Sequence, residues 1–515
     1  MNAAVSRRLF FLFLAVILAA AVWLRLPGLA LRPMHHDEAN QALKFGALLE
    51  RGEYRYDKTE HHGPSLYYLT LPVAWLSTRA TLASLDEAAL RTVPLIFGSA
   101  LILLLLVFEG ALSRPAILFA GLLIALSPAF AYYSRFYIQE MIFVFFMAAF
   151  LGSLWRAVTR PSTGWTIACG FSAGMMFATK ETSVVVFAAA AAGLALTRLS
   201  GRREKAGANL FTGPHWHRLF LGLAVAVLTS AVFFSSFFKN PAGIVDSAVA
   251  LRTYLLRGAF PGLHTHPWTY YLGLLAYSKS GSGPVWTEAL ILVLALAGSL
   301  AAFRRKSGDF LRFVFFTTVL TAAVYSLIPY KTPWNVLPLH LGFIILAGSG
   351  AAAIFRSLRN NAQKTLVGCL LFAGLAHLGW EAARANFRDF ANPRNPYVYA
   401  QTSLDFLKLV RRVEEAGAVS SEHGRTLIKV VCGPYETWPL PWYLRRFDRV
   451  GYWTSWSEAG GFDGVSAVIA SQDQAERLGP ELEGRFQAEY YGLRPGALLT
   501  LFIREDLWDR LVKYR

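Results

Sequence analysis

Long apolar runs separated by short polar segments dominate the first three quarters of the chain. A membrane-spanning helix needs about 17–25 mostly apolar residues, and runs of this kind predict about eleven spans, some of them completed by flanking residues. We place them at Leu9–Leu24, Val93–Phe108, Ala116–Ala129, Met141–Leu154, Trp165–Ala178, Ser183–Leu196, Leu219–Phe238, Val285–Ala302, Phe310–Ile328, Val336–Ile354 and Thr365–Leu378. The pattern predicts an α-helical polytopic membrane protein.

The loop between the first two spans, residues 25–91, is long and has apolar character of its own. Its stretch "SLYYLTLPVAWL" is short and interrupted by Pro72, which favours a helix lying in the membrane interface over one that crosses. Asp37–Leu49 predicts a second short helix in the same loop.

From about Asn392 the composition becomes that of a soluble domain. "TSLDFLKLVRRVEE" has helical periodicity, with Thr402 or Ser403 as its N-cap. "TLIKVVC", "VSAVIAS" and "ALLTLFI" are strand-like and separated by turn residues. We therefore expect two domains: a transmembrane domain over residues 1–390 and a small external α/β domain over residues 391–515.

The distribution of charge sets the expected orientation. The chain has 515 residues, a net charge of +17 and only 16% charged residues. Its basic residues cluster in alternate loops, which is the positive-inside pattern and argues against nucleic-acid binding. We expect a multi-pass protein of the inner or plasma cell membrane, with a cytoplasmic amino terminus and an external carboxy-terminal domain. The three cysteines predict no disulfide framework.

In this topology the polar motifs all fall on the external face, beginning with "HHDEAN" after the first span. Asp37 or Glu38 at a water–membrane boundary could serve as a general base or hold a metal; alternatively, they are acids at a helix N-terminus. A divalent metal ion, if bound, would use His35 and His36, but no zinc-binding spacing supports this. No cofactor is firmly predicted.

The other external motifs supply cations, a carboxylate and aromatic rings. Arg135 and Glu140 open the fourth span, where charges indicate either function or a helix-anchoring ion pair. Lys180 in "TKETS" and Lys331 in "YKTPWN" run against the positive-inside bias. They therefore either bind an anion such as a lipid phosphate or simply snorkel. The aromatic residues of "HTHPWTYYL" either form an interfacial belt or stack against a sugar ring.

Taken in order, these motifs resemble the GT-C superfamily of membrane glycosyltransferases over nearly the whole chain. "HHDEAN", "HHGPSLYYL", "SRFYIQEM" and "TKETS" are similar to the protein mannosyltransferase and aminoarabinose transferase group, glycosyltransferase family 39-like proteins. With "HTHPWTYYL", "YKTPW" and "WPLPWYL" they resemble the branch of archaeal-type, flippase-activity-associated proteins.

The resemblance implies roles for individual residues. Asp37 matches the acid that activates the acceptor, and Glu38 its partner; Glu140, also a candidate catalytic residue, stands where many relatives have Asp. The implied ligands of the donor phosphate are His62, Arg135, Lys180 and, within this branch alone, Lys331. The candidate sugar or acceptor contacts are His61, His266, Trp268, Tyr270 and Trp334.

The function implied is transfer of a sugar from a polyprenyl-phosphate donor to an acceptor at the external face. The partners would be that donor, the bilayer and a protein, lipid or glycan acceptor. The alternative is a non-catalytic flippase of lipid-linked oligosaccharide, or its accessory. A flippase needs a polar path, yet the spans contain few deep polar groups; His340 and His377 are exceptions that we interpret as helix–helix contacts. A scaffold or sensor is a third alternative.

Overall fold

The eleven predicted spans each correspond to a helix in the structure, a computed structural model that describes residues 6–59, 62–200, 216–259, 264–304, 308–420 and 426–513. These helices are α1 (Arg7–Arg25), α4 (Glu87–Leu104), α5 (Arg114–Leu126), α7 (Glu140–Thr159), α8 (Thr163–Phe177), α9 (Ser183–Ser200), α10 (Trp216–Phe234), α13 (Ala289–Ala302), α14 (Asp309–Leu327), α15 (Leu337–Ser357) and α16 (Asn361–Phe387). Eight helices of the described ranges are long and apolar enough to cross a membrane, whereas α5, α8 and α13 have 13, 15 and 14 residues. The fold is that of a multi-pass membrane protein.

Several of the predicted span boundaries are wrong: α4 begins at Glu87 rather than Val93, and α16 continues to Phe387 rather than ending at Leu378. The predicted span Leu219–Phe238 ends at Phe234, because Ser236, Phe237 and Phe238 have positive φ angles of 52°, 56° and 67° that cannot continue a helix. The predicted span Val285–Ala302 begins only at Ala289, because residues 285–286 pair with residues 278–279 in a small antiparallel hairpin.

The remaining helices of this part lie between the spans. Helices α2 (His36–Arg51) and α3 (Ser65–Leu76) are the two short helices predicted in the first loop. The others are α6 (Pro128–Tyr133), α11 (Ala242–Ala259) and α12 (Tyr270–Ala276), and the hairpin consists of β1 (Ser278–Lys279) and β2 (Val285–Trp286).

In its described residues, the carboxy-terminal part contains a five-stranded sheet and four α-helices. Its elements are α17 (Leu404–Val419), β3 (Ile428–Val431), α18 (Leu440–Tyr443), β4 (Val450–Trp453), β5 (Ala467–Ser471), α19 (Gln472–Leu482), β6 (Phe486–Arg494), β7 (Ala497–Arg504) and α20 (Glu505–Lys513). The strand order is β4-β3-β5-β7-β6; β4, β3 and β5 are parallel, whereas β7 is antiparallel to β5 and to β6. The predicted strands are present, and Ser403 caps α17 by accepting from Phe406 N at 3.2 Å.

The sheet region contacts the helical bundle through α18, within the sequence "WPLPWYL". The fully buried Trp442 donates from its indole nitrogen to Glu87 at 2.8 Å, and the Tyr443 hydroxyl accepts from Met34 N at 2.9 Å. The Gln401 side chain donates to Pro33 O at 2.8 Å. These contacts hold the carboxy-terminal part against the start of α2, where Asp37 lies.

Candidate active site

The start of α2 separates the two adjacent acids of the first loop. His35 is its N-cap: its imidazole Nδ1 accepts from Asp37 N at 3.0 Å, and its own backbone N–H donates to Glu38 at 3.1 Å. The Asp37 side chain is 41% exposed. Burial lowers the pKa of His36 to about 4 despite Asp37 nearby, so the imidazole beside this carboxylate is neutral near pH 7. Asp37 is therefore available to a ligand.

Glu38 is fully buried and ion-paired. Both of its oxygens accept from Arg91 at 2.7 Å, and one also accepts from Tyr137 N at 2.9 Å. Burial alone would raise the pKa of Glu38, but the charges of Arg91 and Arg32 and the hydrogen bonds from Arg91 and Tyr137 N lower it to about 2. Glu38 therefore anchors α2 to α4, and its side chain does not reach the solvent-accessible surface at which the Asp37 side chain lies.

Lys180 lies in the turn between α8 and α9 and is buried. Its ammonium donates to Glu140 at 2.5 Å and to the side-chain oxygen of Asn335 at 2.7 Å. Burial would lower the pKa of Lys180, but Glu140 raises it above its ordinary value, so the lysine is charged. The turn thus places one buried positive charge at the end of the bundle.

The polar groups around Lys180 are incompletely satisfied. The second carboxylate oxygen of Glu140 is buried and has no hydrogen-bond partner among the described residues. The buried hydroxyls of Thr182 and Tyr325 lie near Lys180, and together with Lys180 and Glu140 they form what we call the Lys180 cluster. Among the described residues, neither hydroxyl has a hydrogen-bond partner outside this cluster. Since buried polar groups are normally paired, this arrangement is typical of a site for a polar ligand.

The motif "HGP" packs directly on the turn that carries Lys180. Gly63 allows this close approach, because a Cβ atom there would lie 2.2 Å from Ala178 O. The neighbouring His62 lies with its Nδ1 2.7 Å from Glu181 and stacks on Tyr254 at a ring-centroid distance of 5.1 Å. His62 is therefore on the rim of the Lys180 cluster, and its role as a ligand of the donor phosphate stays a prediction. His61 lies outside the described residues.

The segment 331–335 connects the Lys180 cluster to Asp37. Asn335 contacts Lys180, and the ring of Trp334 meets His35, the cap of α2, edge-on with centroids 5.8 Å apart. Lys331 in the same segment donates to His266 O at 3.0 Å and to Ile328 O at 2.5 Å. Asp37, Trp334, Lys180 and Lys331 thus belong to one layer at one end of the helix bundle.

Histidine and aromatic residues at the start of α12 and in the segment before it lie beside this layer. His266 stacks on Tyr270 with centroids 4.2 Å apart, and its buried Nε2 has no partner among the described residues. Trp268 is 68% exposed. The nearby His264 hydrogen-bonds the hydroxyl of Tyr399, and both groups lie close enough to Asp37 to sense its charge.

Arg135 has a different environment from the one expected of a phosphate ligand. Its guanidinium donates to three backbone carbonyls: those of Arg25 and Pro27 at 2.6 Å and that of Gly28 at 2.7 Å. Its face also covers the Phe387 ring at 5.1 Å. The arrangement satisfies the last carbonyls of α1 and the following turn, so Arg135 holds the end of the first span in place.

The proposed metal ligands do not converge. His36 stacks on Trp438 with centroids 5.4 Å apart, whereas the Nε2 of His35 lies 3.1 Å from Tyr399 O. In the described part of the chain, no group of three or more His, Cys, Asp or Glu side chains could hold a metal ion.

Several contacts of this layer are not readable from the sequence. Asn335, Tyr399 and Trp438 reach it from segments far away in the chain. A buried cluster below it joins Glu288 to His340 at 2.8 Å and to the Tyr397 hydroxyl at 2.6 Å. In the sequence, this cluster is indicated by His340, which lies within a span and is interpreted as a helix–helix contact. In the structure, His340 of α15 does make such a contact, with Glu288 directly before α13.

Comparison with known proteins gives one family match and a group of similar structures. Residues 70–232 match the family model described as dolichyl-phosphate-mannose-protein mannosyltransferase. ArnT from Cupriavidus metallidurans bound to undecaprenyl phosphate has a TM-score of 0.64 at 16% identity, covering 95% of this chain and 97% of that one. Archaeal AglB from Archaeoglobus fulgidus, an oligosaccharyltransferase in complex with an inhibitory peptide and a dolichol-phosphate, has a TM-score of 0.56 at 11% identity, covering 97% and 74%.

Mycobacterial arabinofuranosyltransferase AftD has a TM-score of 0.50 at 13% identity, covering 98% of this chain and 40% of that one. Among curated proteins, no sequence match is found. The fold is that of the GT-C membrane glycosyltransferases. Residues 70–232 and the fold as a whole are therefore similar to the protein mannosyltransferase and ArnT group of that superfamily, in agreement with the predicted class of enzyme, a glycosyltransferase. The narrower resemblance to flippase-activity-associated proteins stays a prediction.

Proposed function

We propose that this protein transfers a sugar from a polyprenyl-phosphate-linked donor to an acceptor hydroxyl at the external face of the cell membrane. One observation carries the proposal: the buried Lys180, with its incompletely satisfied polar shell, shares a layer with the half-exposed carboxylate of Asp37. A cation for a leaving phosphate and a base for an acceptor are the two groups that this transfer needs.

The donor phosphate binds at Lys180 in this proposal. The ammonium already contacts Glu140, so a bound phosphate would share the ammonium with Glu140 and would accept from the nearby hydroxyls of Thr182 and Tyr325. His62 and Lys331 contribute from the rim. ArnT is bound to undecaprenyl phosphate and AglB to a dolichol-phosphate in their structures, which supports a polyprenyl-phosphate ligand for a protein with this fold.

Asp37 acts as the general base. As the acceptor oxygen bonds to the anomeric carbon of the sugar, its proton passes to the Asp37 carboxylate. The bond between that carbon and the phosphate oxygen breaks, and polyprenyl phosphate leaves with the electron pair, stabilised by Lys180. His35 and Trp334 position α2, while His266, Trp268 and Tyr270 contact the sugar or the acceptor.

The chemistry of the donor accounts for a reaction site at the membrane boundary. A polyprenyl chain must remain in the hydrocarbon and its sugar in water, so the reactive carbon lies at the interface. In the proposed orientation, the amino terminus is cytoplasmic and the carboxy-terminal part is external. There it contacts the segment that leads into α2, close to Asp37.

The test is a transfer assay in membranes that contain the protein. Radiolabelled polyprenyl-phosphate sugars are supplied to these membranes and to membranes without the protein. We expect label to move from the lipid into a protein, lipid or glycan fraction only when the protein is present. Translocation of the donor across proteoliposomes, with no transferred label in any fraction, would overturn the proposal in favour of a flippase.

A further inference from the structure

A groove between α7, α8 and α10 lies at the end of the bundle opposite to the Asp37 layer. Its cavity has a volume of about 270 Å³. Cys169, Gly170 and Ala173 of α8 form its floor, and side chains such as Val158 of α7 and Leu223 of α10 form its walls. The floor is narrow because α8 and α10 pack closely: a Cβ atom at Gly170 would lie 2.3 Å from Gly222 O.

The groove has an apolar interior and a cationic mouth. Its walls offer water almost no hydrogen-bond partners, and an apolar cavity of this kind favours an apolar occupant. Arg218 lines one end, and its buried Nε has no hydrogen-bond partner among the described residues. A cationic N–H group that is withdrawn from water without a partner is unfavourable unless an acceptor such as an anion pairs with it.

The groove lies at an end of the bundle where an apolar interior and a cationic mouth would face the membrane and its anionic surface. Arg218 lies in the first turn of α10, and Arg156 and Arg160 end α7 at the same end of the bundle. This is the end at which the basic clusters of the sequence predict the cytoplasmic leaflet, whose surface is anionic.

We propose that this groove is a binding site for one anionic glycerophospholipid of the surrounding membrane. One acyl chain lies on the α8 floor, and the phosphate of the headgroup accepts from Arg218. Basic pockets between transmembrane helices at this side of a membrane bind anionic headgroups in the same way. The site is separate from the proposed transfer reaction and does not depend on it.

The test is native mass spectrometry of the delipidated full-length protein, titrated with phosphatidylglycerol, phosphatidylcholine or a polyprenyl phosphate. We expect one phosphatidylglycerol to bind more tightly than phosphatidylcholine. Arg218→Gln should weaken phosphatidylglycerol binding about fivefold and leave phosphatidylcholine unaffected. Arg198→Gln, which removes an exposed charge at the same end, should change neither.

A second variant tests the groove itself. Ala173→Trp fills the floor and should abolish the tight phosphatidylglycerol adduct while leaving the thermal unfolding temperature close to that of the wild type. Equal binding of the two phospholipids, or tight phosphatidylglycerol binding that both variants retain, would overturn the proposal. So would an Arg218-dependent adduct formed only by the polyprenyl phosphate, which would make the groove a second donor-lipid site.

Discussion

Asp37 and Glu38 are adjacent in the chain but have opposite environments. The first turn of α2 directs Glu38 into the bundle, against Arg91, and leaves Asp37 at the surface of the site. The sequence marks both acids equally, because their spacing does not reveal which face of the helix is covered. Arg135 illustrates the same limit: the resemblance implies a phosphate ligand, and no local pattern shows that three of its donors go to the backbone carbonyls at the end of α1.

The role of Lys180 can be tested without leaving an unpaired carboxylate. We expect the double variant Lys180→Met, Glu140→Gln to weaken binding of polyprenyl phosphate about 10- to 100-fold, because hydrogen bonds to charged groups contribute about 1.5–3 kcal/mol. Equilibrium binding to the detergent-solubilised protein measures this. Lys58→Ala, which removes an exposed lysine paired with Asp246 at 2.9 Å, is the matched control. Equal affinities for all three proteins would mean that Lys180 serves only to pair with Glu140.

The presence of each membrane-spanning helix could be predicted from the sequence, whereas the residues at which the helices begin and end could be predicted less well. Apolar run length identifies all eleven helices of the bundle. The end of α10 depends instead on the positive φ angles at Ser236–Phe238, and the start of α13 on a two-residue strand pairing. The site is assembled by contacts such as Lys180–Asn335 and His35–Trp334, which join segments more than 150 residues apart. No local pattern encodes them.

Helix α2 depends on the Glu38–Arg91 pair for its position. Glu38→Gln leaves Arg91 buried without its carboxylate, and loss of one member of a buried pair costs about 3–5 kcal/mol. We expect a clear fall in the thermal unfolding temperature, measured in detergent. Asp37→Asn, one residue away, should leave that temperature unchanged because the Asp37 side chain is half-exposed and asparagine is well tolerated at a helix start. Equal stability of the two variants would contradict this division of roles.

In the proposed orientation, the Asp37 layer and the five-stranded sheet lie on the external side of the membrane. A single cysteine at Gln487 in β6 should react with an impermeant maleimide added outside intact cells, in a chain whose native cysteines are replaced by serine. A cysteine at Lys364, at the start of α16, should react only after the cells are opened. The reverse pattern would place the proposed site in the cytoplasm.

The most direct test of the central claim compares transfer by the wild type and by Asp37→Asn in the labelled-donor assay. The amide keeps the shape of the side chain but cannot accept the acceptor's proton. Transfer should therefore fall about 10²–10⁴-fold, while polyprenyl phosphate binding and thermal stability remain those of the wild type. Near-normal transfer by Asp37→Asn would contradict the account, because it would remove Asp37 as the base around which the site is interpreted.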